Sequence, residues 1–433
     1  MRAALTLFYV ATATAACGVS SNGLFPDDVG SKGIDAGDAA VDADGGGAAN
    51  DARADGPPFA DGGESGADDA GPRLGAIVQI TAGYAHTCAL LASGGVACWG
   101  ANHDGQLGDG THSPTRTPRL VAGVSDVVEI AAGGYHTCAR TRAAKVLCWG
   151  KGENGQLGDG AGRESTTPRA ASTADIDLSL AVALSAGSLH TCALLADGRV
   201  ACWGANDRGQ LGSSGNAAMS PVFVDALTDA TSVAAGQVHT CVRRAAGHVS
   251  CWGDDAKGQL GVPTNQLQGG RTASPVDVDS LFGTDAVALG LGATSCARDN
   301  GDVVCWGDDA TGALGDPNVT GGSSWRPVKA AAVVGATSLA VGSGHVCAAS
   351  AATTWCWGLG RRGQLGTGAT SDARTGLVVA GAPAGVRQLA LGYRFTCALA
   401  GAGAIWCWGE NGDGQIGDGT LTDALVPVRV VGS

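Results

Sequence analysis

Aromatic side chains are scarce, at 5% of 433 residues, while glycine is abundant at 72. That balance suits many tight turns between short strands. No stretch sustains a helical period, which argues against a helical bundle. Basic residues are also few, 27 Lys and Arg against 40 Asp and Glu, for a net charge of −13. The acidity is uneven: residues 18–73 hold twelve acidic and three basic side chains, residues 74–433 hold 28 and 23. Nothing in the second part resembles the basic stripe that a phosphate backbone requires, so no nucleic-acid partner is expected. The longest apolar opening, residues 3–16, is too short for a bilayer core of ~30 Å.

What the chain has instead is cysteine, fifteen of them, a set that a reducing compartment rarely keeps as disulfides. The odd number asks which one stands apart. Residues 1–17 read MRAALTLFYVATATAAC, with a positive Arg2, an apolar middle, and small Ala15 and Ala16 before Cys17. The pattern resembles a bacterial lipoprotein signal, cut ahead of a cysteine that then carries lipid. It departs from the usual form at Thr14, where Leu is common. Plain secretion with a free or trimmed Cys17, or a cytosolic chain with a chance apolar start, are the alternatives. The expectation is a signal peptide over 1–16, lipid on Cys17 as the sole attachment to a membrane, and a location on the periplasmic or outer side of a bacterial envelope.

Residues 17–73 follow as a Gly/Ala/Asp-rich linker. Such a composition cannot bury enough apolar surface to offset its chain entropy, so disorder is expected. As a coil, residues 18–73 would span roughly 40 Å. Asp42-Ala43-Asp44-Gly45 opens like a calcium loop, but Arg53 stands where the closing acid belongs, so it reads as linker.

From residue 74 one pattern recurs seven times, marked by Trp99, Trp149, Trp203, Trp252, Trp306, Trp357 and Trp408 at spacings of 50, 54, 49, 54, 51 and 51. Each repeat has room for four strands, placed in the first at 77–83, 86–91, 96–100 and 116–121. Four short strands every ~50 residues predict the blades of a propeller. The fold class is all-β, a seven-bladed β-propeller of four-stranded antiparallel blades over 74–433, expected to be monomeric. The final strand, 425–431, is expected to close the ring by pairing within the blade of the first repeat. A linear β-solenoid would need shorter repeats and caps.

The remaining fourteen cysteines fall two per repeat: Cys88 and Cys98, Cys138 and Cys148, Cys192 and Cys202, Cys241 and Cys251, Cys296 and Cys305, Cys347 and Cys356, Cys397 and Cys407. Facing Cys296 and Cys305 leaves Asn300-Gly301 as a two-residue hairpin loop. In four ten-apart pairs the same assumption leaves three residues ending in Gly94, Gly198, Gly247 or Gly403, as a left-handed last position requires. Ala144 and the Ala351-Ala352 loop do not fit that rule. Directly opposed residues sit within disulfide range. Seven intra-repeat disulfides are therefore expected. Zinc would favour closer spacing, and buried free thiols remain the other reading.

The runs Ala-Gly-x-x-His-Thr-Cys-Ala, Cys-Trp-Gly and Gly-Gln-Leu-Gly resemble the regulator of chromosome condensation repeat family, over about 360 of the 433 residues. The resemblance implies a seven-bladed propeller. The family's eukaryotic founder exchanges guanine nucleotide on a nuclear GTPase and binds histones and DNA. It has a basic tail and a protruding β-wedge, whereas here the tail is acidic and repeat lengths differ by only about five residues. A secreted relative of this fold inhibits a β-lactamase through loops on one propeller face, which suits the expected compartment better.

Candidate chemistry is thin. His86, His136, His190, His239 and His345 recur at one position, broken by Thr294 and Phe395; they read as structural, bonding strand or loop backbone. Gly-Gln-Leu-Gly lacks the Lys-Ser/Thr of a phosphate loop, and Asp109, Asp159 and Asp418 read as turn caps. The repeated tryptophans should pack between blades. No sialidase Ser-x-Asp-x-Gly-x-Thr-Trp box occurs, and no cofactor, metal or catalytic residue is expected. The variable segments 159–167, 213–220, 262–274, 316–326 and 367–376 should emerge on one face, the usual binding surface of a rigid scaffold. Trp325 is a candidate exposed anchor there, or packs on its own blade. The expected function is a non-enzymatic tethered module binding an envelope or extracellular protein or glycan. An enzyme with a central-channel site, or a nucleotide exchange factor, are the alternatives.

Overall fold

In a computed structural model, which describes residues 73–433 except 173, 175, 264, 265, 268 and 300, the first repeat forms β1 (Ile77–Ala82), β2 (His86–Leu91), β3 (Val96–Gly100) and β4 (Thr115–Leu120). Six more four-stranded antiparallel sheets follow over Val127–Ala170, Ala181–Phe223, Ala230–Asp277, Ala286–Lys329, Ser338–Val378 and Val386–Arg429, each with its strands in sequence order. First strands of successive blades touch all the way round, the seventh meeting the first, so they line the axis of a seven-bladed propeller. The expected signal peptide, Cys17, the calcium-like run and all of the linker but Arg73 lie outside the described residues.

Ring closure differs from expectation. The last strand, Ala424–Arg429, pairs with Ala404–Gly409 in its own blade, not with the first. The repeats begin with an inner strand and end with an outer one, so no strand is left to exchange. Side chains join the ends instead. Gln388 accepts from Ile80 N–H and donates to Ile80 C=O, both at 2.9 Å, and Leu74 N–H donates to Gly432 C=O at 3.1 Å. Gln79 grips Ile130 of the second blade in the same two-handed way, which satisfies backbone groups that the inner edge would otherwise leave open. At the outer edge six blades carry a proline, Pro118, Pro168, Pro221, Pro275, Pro327 and Pro427, which offers no N–H to a foreign strand. The sixth blade has Gly376 there, and its N–H is taken by Ala331 C=O at 3.2 Å.

The repeated signature is a set of blade-to-blade joints. Each marker tryptophan is fully buried, and Trp149 Nε1 donates to Gln106 C=O of the preceding blade at 2.9 Å. Thr137 donates its hydroxyl to the same carbonyl at 2.9 Å. The second glycine of Gly-Gln-Leu-Gly is required by this packing: a Cβ on Gly108 would lie 2.7 Å from Trp149 Nε1. All seven cysteine pairs are directly opposed and disulfide-bonded, with Cα atoms 4.1 Å apart. Asp299 pairs with Asp302, as the two-residue loop demands. Where Gly was missing, Ala144 is forced to φ 58° with the register kept. Left-handed alanine costs roughly 1 kcal/mol. Ala144→Gly is therefore expected to raise unfolding free energy by about that amount, measured by urea denaturation.

Candidate functional site: two faces and an axial channel

The strand order puts β1–β2 turns and β3–β4 connectors, with their equivalents in every blade, on one face; the β2–β3 hairpins and inter-blade links lie on the other. The connectors between third and outer strands hold fourteen acidic and six basic residues. They contribute −8 where the propeller as a whole is −5, so this face is acidic and the rest of the propeller slightly basic. Ion pairs cross between blades along it, among them Lys151–Asp104 at 3.6 Å, Lys257–Asp308 at 3.6 Å and Arg374–Asp309 at 2.5 Å.

The connectors are held from inside. Asn102 accepts from Leu107 N–H at 3.0 Å while its amide donates to Thr111 and Ser113 carbonyls. Asn206 and Asn411 do the same in the third and seventh blades. Asp109, Asp159 and Asp418 cap turns, each accepting from the N–H two residues on at 2.9 Å. The fourth and fifth blades have aspartate in place of the organising asparagine. Asp309 accepts from Leu314 N–H and gives its second oxygen to Arg374. Asp255 accepts from Leu260 N–H, but its Oδ2 is buried without a partner. Burial pushes the Asp255 carboxyl up to about 6. A folded-state pKa above the unfolded value means the folded chain holds this proton more tightly. The resulting stability is present at low pH and lost as pH rises through about 6. Asp255→Asn is expected to stabilise the fold by about 1–3 kcal/mol at pH 7.5. Denaturation at pH 7.5 and pH 4 checks this, since the gain should vanish at the lower pH.

The five recurring histidines are fully buried. They bond not to backbone, as the sequence reading had it, but to a hydroxyl of the next blade: His86 to Thr137 at 3.0 Å, His136 to Thr191 at 2.8 Å, His190 to Thr240 at 2.9 Å, His239 to Ser295 at 2.9 Å and His345 to Thr396 at 3.0 Å. Each hydroxyl spends its hydrogen on the carbonyl of a Gly-Gln-Leu-Gly glutamine, so the histidine Nε2 must donate. Every Nδ1 is left unpaired. Desolvation lowers His86, His136, His239 and His345 to about 3 and His190 to about 4. The glycine three residues earlier makes room: a Cβ on Gly83 would lie 2.0 Å from the His86 ring.

On the connector face the axis is filled. Tyr84 reaches Tyr135 of the second blade at 4.6 Å between centroids, Tyr393 of the seventh at 6.3 Å and the Ser188 hydroxyl of the third at 2.9 Å. Buried Leu291 of the fifth blade completes the cluster. Trp325 is half-buried at the start of an outer strand, its backbone against Gly258 of the fourth blade and Arg326 over its ring at 4.7 Å. Among the described residues no three His, Cys, Asp or Glu side chains are grouped to hold a metal ion, and no helix is long and apolar enough to cross a membrane.

A family model described as RCC1-like domain matches residues 60–329, well over half of the chain, and regulator of chromosome condensation repeat models match 386–415 and 402–433. The ultraviolet-B receptor UVR8 of Arabidopsis thaliana is 35% identical over 143 residues, 31% of this chain and 32% of that protein. The human E3 ubiquitin-protein ligase HERC2 is 31% identical over 176 residues, 37% of this chain and 4% of that protein. The chain thus spans a third or less of these curated relatives. Among solved structures, Prp20p of Saccharomyces cerevisiae, described with its binding to Gsp1p and histones, superposes with TM-score 0.69 at 21% identity, over 84% of this chain and 87% of that one. Human WBSCR16 gives 0.67 at 21%, over 78% and 94%. At these identities the structures share the fold.

Proposed function

The chain belongs to the RCC1-like domain family, and from that premise we propose that it is a non-enzymatic binding module which engages a protein or glycan through its connector face. One observation carries the reading. The repeated signature is spent inside the propeller, on disulfides within blades and joints between them, while the connectors between third and outer strands differ in sequence and charge and all emerge on one face. A rigid scaffold presenting variable loops is the arrangement of a recognition surface. The excess of acid there favours a partner with a basic surface, bound more weakly as salt rises. Prp20p is described as binding proteins, which supports a protein partner. Trp325, at the end of the variable 316–326 segment where the outer strand begins, is the proposed aromatic anchor.

We place this module outside the cytoplasm, tethered through lipid on Cys17 by the 17–73 linker. The support is the leader sequence and seven disulfides, bonds that last in oxidising compartments. The test is capture from envelope extract by the immobilised full-length chain, beside a chain whose 262–270 connector is replaced by the 213–217 connector. The intact chain should retain a specific species that the exchanged chain loses at unchanged melting temperature. Equal recovery by both, or by an unfolded control, contradicts the proposal.

A further inference from the structure

The face opposite the connectors carries a cavity of about 680 Å³ at the mouth of the axial channel, reaching from Gln79 of the first blade to Thr231 of the fourth. It contains a blade joint built differently from those of the first and seventh blades. Gln79 faces Leu90 across the first blade and Gln388 faces Leu399 across the seventh. Both glutamines grip the next blade by donating and accepting. At the same positions of the second blade stand Glu129 and Arg140. Glu129 accepts from Leu184 N–H at 3.0 Å, but a carboxylate cannot donate back to the Leu184 carbonyl, so half of the grip is lost. Its second oxygen receives Arg140 Nε at 2.9 Å. A Gln–Leu pair would serve the blade joint better and bury no charge.

Arginine recurs at this position in Arg243 and Arg298, and both use a terminal nitrogen structurally, Arg243 on Thr231 and Arg298 on the Thr337 carbonyl of the next blade. The Arg140 terminal nitrogens make no hydrogen bond to described residues. Its side chain, 20% exposed and oriented by Glu129, lines the cavity beside Val128, Val182, Leu194 and Ala230. Asp229, on the far wall, is itself paired with Arg244 at 2.8 Å.

We propose that this cavity binds a carboxylate borne on an apolar group, with both Arg140 Nη groups donating to it. A guanidinium matches a carboxylate in two parallel hydrogen bonds, and the apolar walls take the attached group. The volume lies in the range of small-ligand sites. A chain-terminal residue of a peptide and a free branched acid share this chemistry. The site is independent of the connector face.

Titration calorimetry on the full-length chain uses N-acetyl-Ala-Leu, its C-terminal amide, and 4-methylpentanoate. The free peptide acid should bind, and the amide at least ten-fold more weakly. Binding of 4-methylpentanoate as tightly as the peptide identifies a free acid as the source; much weaker binding identifies a peptide terminus. Arg140→Leu, made together with Glu129→Gln so that no buried carboxylate is left unpaired, installs the pair that the first and seventh blades carry, and should abolish binding with the fold kept. Arg140→Lys keeps charge without the fork and should weaken binding at least ten-fold, covering the case in which the leucine variant misfolds. No heat with any carboxylate, equal affinity for acid and amide, or undiminished binding by a folded Arg140 variant overturns the proposal. Capture through the connector face should be the same in the double variant, so the two readings fail separately.

Discussion

Between pH 7 and pH 5 the folded chain is expected to lose several kcal/mol of stability, with the five buried histidines as the main cause. Their folded-state values of about 3 and about 4 lie well below the ordinary 6.5. In that interval the unfolded chain takes up protons and the folded chain does not, so stability rises with pH up to about 7 and is flat above it. At one pKa unit per ~1.4 kcal/mol, each histidine withholds on the order of 2 kcal/mol at pH 5, or roughly 10 for five. The raised carboxyls of Asp255, Glu129, Asp104, Asp309 and Glu410, each driven up first by desolvation, act in the opposite direction and recover part of it. Typical domains hold only ~5–15 kcal/mol in all. Guanidinium denaturation from pH 8 to pH 4.5 should show a midpoint that falls steeply below pH 6.5. Replacing His136 with Phe, the residue the seventh blade uses at Phe395, should reduce the proton uptake on unfolding by one. A midpoint independent of pH would mean the histidines are not buried neutral.

The second large effect is reduction. Each disulfide spans nine or ten residues of sequence, and by chain entropy is worth about 2–3 kcal/mol. Seven such closures are local and separate, so their sum rivals the whole stability of an ordinary domain. The chain unfolded in denaturant and reductant is expected not to regain a cooperative transition when refolded with reductant present. It should regain one under oxidising conditions. Joint replacement of Cys296 and Cys305 by alanine should cost about 2–3 kcal/mol, read by denaturation of the oxidised protein. The cysteines are fully buried, so the native protein should resist reductant until it unfolds. A reduced chain that melts where the oxidised one does would show that the bonds add nothing.

Much of this architecture was legible in the chain. The first-repeat strands fall within a residue of their observed bounds, because Gly brackets short Val, Thr and Cys runs so closely. The cysteine partners followed from hairpin arithmetic, and even the misfit at Ala144 pointed to a real left-handed alanine. Ring closure was misread because the device is a single residue type. Gln79 and Gln388 sit in strands where glutamine looks like surface, and only the ring brings Ile130 and Ile80 to them. The histidine partners were missed for a similar reason: each lies one repeat on, in the Thr or Ser just before that repeat's first cysteine, a relation that exists only between blades. Glu129 and Arg140 gave no signal, since the position varies from blade to blade, with Ala183, Ser232, Ala286 and Ser338 among its occupants, and reads as drift until Gln79 and Gln388 show what a side chain can do there.

Intact-mass measurement of the mature protein, purified without reductant from its own host, bears on the central claim most directly. An N-terminus at Cys17 carrying lipid, with fourteen hydrogens fewer than the thiol form of Cys88 through Cys407, is the predicted result. A chain retaining residues 1–16, with all fifteen cysteines as free thiols, would contradict it.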